Sequence, residues 1–144
     1  MKAQMITKEM AKKRDAFRNV IWVFALSLLT GCHDQKYGEL TRIDIFEKGK
    51  EQEHTLVDEE LINSIEEKMS QIEWVPNMKP EMEREPDAEA DFFFTEDNDE
   101  PETITTYHIW FNGKNAEILS NDKREGFGRL ENGSEDLTEL LIGG

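Results

Sequence analysis

One thiol, three imidazoles and 32 carboxylates are the side chains in this 144-residue sequence best suited to chemistry. Cys32 is the only cysteine, so no intramolecular disulfide can form, and if its sulfur carries a covalent group no free thiol remains for nucleophilic catalysis. His33, His54 and His108 stand in three separate segments, without the His-x-His or His-x3-His spacing that would bring two imidazoles to one ion. A zinc centre takes three or four ligands, so carboxylates would have to complete any such site. Asp97-Asn98-Asp99-Glu100 opens like a calcium loop, but the sixth position from Asp97 is Glu102 and the twelfth is His108, where an EF-hand needs Gly and Glu. No Gly-x-Ser-x-Gly stands in the chain, and the glycine pair of Gly126-Phe127-Gly128 lacks the downstream spacing of a phosphate loop. Asn132-Gly133-Ser134 fits a glycosylation sequon, although Ser134 is better placed to cap a helix. The expectation is a chain with no metal, no cofactor and no catalytic residue.

Cys32 also closes an apolar run. Residues 26–32 read Leu-Ser-Leu-Leu-Thr-Gly-Cys, preceded by Val20-Ile21-Trp22-Val23-Phe24-Ala25 and by the basic set Lys8, Lys12, Lys13, Arg14 and Arg18. A basic segment, an apolar segment and small residues before a cut are the three parts of a secretory signal. The ending resembles the lipobox of bacterial lipoprotein signal peptides. That resemblance implies cleavage between Gly31 and Cys32 and attachment of diacylglycerol to the Cys32 thiol. The apolar stretch offers about 12 residues, short of the ~20 a spanning helix needs. The expected organisation is a signal peptide over 1–31, a lipidated N-terminus and short tether over 32–39, and a single domain over 40–144. Met10 opens Met-Ala-Lys-Lys-Arg, a more typical start than Met1 or Met5. The expected location is the extracytoplasmic face of a cell membrane, with the membrane as partner through the lipid anchor.

Charge sharpens this reading. The whole chain carries −15, and residues 1–31 hold six Lys/Arg against two Asp/Glu, a net of +4, so residues 32–144 carry −19. Such a balance excludes nucleic-acid binding, which draws most of its affinity from Lys and Arg on phosphates. It also excludes electrostatic adhesion to anionic lipid. Acyl chains would have to supply the attachment, at about 0.8 kcal/mol per buried methylene.

The elements that must position any site follow from periodicity. Ile43 and Ile45 alternate with Arg42 and Asp44 as in a half-buried strand, and residues 52–57 offer a short return strand. Asp58 is an N-cap before Glu59 and Glu60, and Leu61, Ile62, Ile65, Met69 and Ile72 fall on one helical face, which predicts a helix over 59–73. Pro76 stops it, and residues 77–90 read as an exposed connector. Strands are predicted around Phe92-Phe93-Phe94, over 103–111, over 116–120 and over 127–130, with Asn112-Gly113 as a hairpin turn. Leu137, Leu140 and Leu141 mark a short C-terminal helix. The predicted fold is α+β: a small antiparallel sheet with one long amphipathic helix packed on one face, plus the short C-terminal helix.

Ile72-Glu73-Trp74-Val75-Pro76, an extended connector, an aromatic strand, and Tyr107-His108-Ile109-Trp110-Phe111 followed by a hairpin and a Leu-rich end resemble the small lipoproteins of Gram-positive bacilli called the YhfM-like group, although Ala88 follows Pro86-Asp87 where many members have Tyr. The resemblance implies the α+β fold and the membrane location, and no activity. The functional expectation is a non-enzymatic, lipid-anchored binding or regulatory module at the envelope, with an envelope protein as partner. The alternatives are a divalent-cation-binding protein centred on residues 96–102 and an enzyme with a carboxylate-based site.

Overall fold

The computed structural model describes residues 38–96 and 99–143. The expected signal peptide, Gly31, Cys32 and His33 therefore lie outside the described residues. The described residues belong to one structural unit. Among the described residues no helix is long and apolar enough to cross a membrane.

Among the described residues seven strands form one antiparallel sheet. They are β1 (Glu39–Glu47), β2 (His54–Leu56), β3 (Glu73–Val75), β4 (Ala88–Thr95), β5 (Thr103–Asn112), β6 (Asn115–Ser120) and β7 (Phe127–Leu130), with helices α1 (Glu59–Ser70) and α2 (Ser134–Ile142). Their order across the sheet is β2-β1-β4-β5-β6-β7-β3. The β1–β4 register shifts between Leu40 and Arg42, a bulge at which the Thr41 hydroxyl donates to Phe93 O at 3.2 Å.

This corrects the predicted fold class. The sheet is the bulk of the domain rather than a small platform, and the helix expected to be long is 12 residues. Its start is as predicted, since Asp58 Oδ1 accepts from Leu61 N–H at 2.9 Å. Its end comes earlier, because the Gln71 and Ile72 N–H groups turn back to Lys68 and Met69 carbonyls at 3.1 and 3.2 Å. The next residues become β3, a short edge strand on β7. Gly128 makes that pairing feasible: a Cβ there would lie 2.4 Å from Ile72 Cγ2 and 2.6 Å from Trp74 Cε3.

Both helices bury their apolar stripes on the same sheet face. Ile62 and Ile65 of α1 and Leu137 and Leu141 of α2 share one cluster with Ile43, Ile45, Phe92, Tyr107, Ile109 and Ile118. Phe92 meets Tyr107 edge-on at 4.8 Å between ring centres. Ser134 is not the cap of α2: Gly133 holds that place without a side-chain bond, and Ser134 is buried, its carbonyl accepting from the Thr138 hydroxyl at 2.7 Å. The β5–β6 hairpin also differs from the prediction. Asn112 pairs with Asn115, so its loop residues are Gly113 and Lys114, with Gly113 at φ 62°. This fits a type II′ turn with glycine first rather than an Asn-Gly type I′ pair.

Candidate functional site

The face turned away from the helices carries the polar chemistry. Strand alternation sends Asp44, Glu89, Asp91, Thr106, His108, Trp110, Glu117 and Arg129 to that side. One line of cross-strand partners runs Phe46, Glu89, His108, Leu119, Phe127 over five strands. At its centre His108 Nδ1 lies 3.0 Å from Glu89 Oε2, with both side chains more than a third exposed. The carboxylate fixes the ring through Nδ1 and leaves Nε2 as the nitrogen that it does not engage.

A second line lies beside it, Thr55, Asp44, Asp91, Thr106. Directly opposed carboxylates repel across a strand pair, and here each takes a hydroxyl donor. Thr55 Oγ1 donates to Asp44 Oδ1 at 2.9 Å, and Thr106 Oγ1 donates to Asp91 Oδ1 at 2.6 Å. Arg42 adds positive charge 3.4 Å from Asp44 Oδ2 and stacks 3.7 Å above the Phe93 ring.

The connector over residues 77–87 reaches this face. It has no regular structure, as predicted, yet it is fastened at both ends. Asn77 N–H donates to Lys123 O at 2.9 Å. At the other end the Trp110 indole N–H donates to Arg84 O at 2.9 Å, and the ring is only 4 % exposed although it points away from the helices. Arg84 grips Asp87 through two bonds and also donates to Phe111 O and Asn112 Oδ1. Asp87 in turn accepts from Phe111 N–H at 2.7 Å. The Arg84 bond, with the Phe111 N–H adding to it and burial opposing it, holds the Asp87 carboxyl below the usual carboxylate range.

The other expected groups are dispersed. His54 pairs with Ile45, whose side chain faces the helices, so the sheet separates it from His108. The described acids of residues 96–102 sit on the β4–β5 loop. Among the described residues no group of three or more His, Cys, Asp or Glu could hold a metal ion. An open cleft of about 450 Å³ between α1 and α2 is lined by Leu61, Asp136, Glu139, Leu140 and Gly143. Lys68 of α1 bridges to Asp136 of α2 at 2.5 Å, so one of the two carboxylates of the cleft is held in an ion pair.

Two groups escaped the sequence reading. Glu125, 6 % exposed, accepts from the buried Ser120 hydroxyl at 2.7 Å, between β6 and β7. Glu89, the partner of His108, has no sequence signal, because it lies 19 positions away and only the β4–β5 register brings it there.

No protein-family model matches the sequence, and no curated protein matches it. Among solved structures, one similar chain is a thioesterase-like protein from Clostridium sporogenes, 14% identical, with a TM-score of 0.48 over 74% of this chain and 96% of that one. The expectations of a non-enzymatic chain and of a non-catalytic module run against that comparison and are set aside. At that identity and score, nothing of the other protein's activity is carried to this chain.

Proposed function

We propose that this chain is a lipoprotein whose domain is held at the outer side of a membrane by an acylated Cys32, as in the small lipoproteins of bacilli it resembles. We further propose that the sheet face around His108 and Glu89 is its acid–base centre. The anchor reading is supported by the Leu-Leu-Thr-Gly-Cys ending and the −19 charge that leaves acyl chains as the means of attachment. The single observation supporting the second is the 3.0 Å contact of His108 Nδ1 with Glu89 Oε2 on a face the helices leave uncovered. An imidazole oriented by a carboxylate can take a proton from water or a hydroxyl through its other nitrogen, a role that accelerates reactions about 10²–10⁴-fold.

Each half has its own test. Palmitate incorporation is expected in the wild type and not in Cys32→Ser; equal labelling would sink the anchor. For the acid–base centre, full-length protein in detergent is assayed against p-nitrophenyl acetate beside free imidazole at equal concentration. The wild type is expected to exceed free imidazole by about 100-fold, with the excess lost in His108→Ala. A wild type no faster than imidazole removes the reading.

A further inference from the structure

We infer that the membrane-facing end of the domain is the end that carries Gly38 and the β4–β5 loop, an inference that rests on the lipid anchor proposed above. Register defines that end. Glu39 at the start of β1 pairs with Thr95 at the end of β4, and Phe94 pairs with Thr103 at the start of β5. The chain therefore enters the sheet where the β4–β5 loop leaves it. The fit is close: a Cβ on Gly38 would lie 2.3 Å from Thr95 O and 2.7 Å from Glu96 N, so the entering strand touches the base of that loop.

Covalent reach supplies the rest. Six peptide steps separate Cys32 from Gly38, and at ~3.3–3.6 Å each they span at most about 20 Å. The nine residues of β1 carry the chain about 30 Å further before the β1–β2 turn. The β5–β6 turn with Lys114, and the Arg84–Asp87 pair beside Asn112, belong to that far end. A tether shorter than the sheet allows the near end to rest on lipid headgroups and favours the far end standing clear.

The near end has the charge pattern of a surface suited to zwitterionic rather than anionic lipid. Glu39, Glu96, Asp99, Glu100 and Glu102 lie there. Arg42 lies beside them and reaches Glu102 at 3.9 Å. Among the described residues acids thus outnumber bases at this end, which opposes attraction to anionic headgroups.

The test uses lipidated full-length protein on phosphatidylcholine vesicles. A fluorophore is attached through Glu100→Cys or Lys114→Cys, and quenching is read from headgroup spin-labelled lipid; acylation of Cys32 leaves the introduced thiol as the only free one. Quenching at position 100 is expected to exceed that at position 114 by about twofold or more, given the ~30 Å between the two ends. Equal quenching on vesicle-bound protein, or the reverse order, overturns the orientation alone. Protein that stays off the vesicles with Cys32 intact overturns the anchor and the orientation with it.

Discussion

Arg84 and Asp87 face one another through two parallel bonds, Nη1–Oδ1 at 2.6 Å and Nη2–Oδ2 at 2.9 Å, inside a segment that has no helix or strand of its own. Such forked pairing is the strong form of an ion pair, and here it joins a loop to the β5–β6 hairpin.

Replacing Asp87 with Ala removes both bonds and leaves the Phe111 N–H without its 2.7 Å acceptor. The expected cost is about 1 kcal/mol, below the usual range for a charged hydrogen bond because the pair is partly exposed and screened by solvent. Thermal melting should show a loss of about 4–8 °C. An unchanged melting temperature would mean that the connector is held elsewhere.

Acid should expose the same pair. A carboxyl held below its usual range contributes stability that is complete above the unfolded-state pKa and disappears as pH falls toward the folded one. Melting temperature in the wild type should therefore drop on acidification through the carboxylate range by more than it does in Asp87→Ala. Parallel acid limbs in the two proteins would refute this.

Glu66 has the opposite sign. Its side chain is exposed, yet partial desolvation against the neighbouring chain, and secondarily the charge of Glu39, push its carboxyl up. A raised folded-state pKa contributes stability that is present below the unfolded pKa and lost as pH rises through the folded one. Glu66→Gln is expected to raise the melting temperature slightly at pH 7 and to have no such benefit at pH 3. A variant less stable than wild type at pH 7 would count against it.

In the core, Gly128→Ala should be costly because its methyl group would meet Ile72 and Trp74 inside contact distance. Overpacking of this kind costs about 1–3 kcal/mol, and urea denaturation should show a lower midpoint. Phe92→Ala, at a 2 % exposed position packed on Tyr107, should cost more, about 3–5 kcal/mol.

Alternation and capping made much of this fold legible. The strand predicted over 103–111 forms, with Tyr107 and Ile109 on the buried face and Thr106 and His108 opposite, and Asp58 opens α1 as predicted. Ile72 misled the helix boundary: it is buried at helical spacing, yet the backbone has already left the helix to enter β3. A three-residue strand has too few positions to display a period of two. The candidate site was half visible. His108 stood out as a residue type, but Glu89 became its partner only through strand register, which depends on contacts between distant segments. The connector looked unstructured because its order comes from single side chains, Arg84 and Asp87, rather than from a repeating pattern.

Both outer strands of the sheet, β2 and β3, are three residues long, and β1 bulges at Thr41 just where β2 no longer covers it. Long straight edges template pairing with neighbouring chains, and truncated or bulged ones do not. With its edges shortened in this way, the domain offers its own copies little backbone to pair with, and so can be concentrated without zipping into fibres.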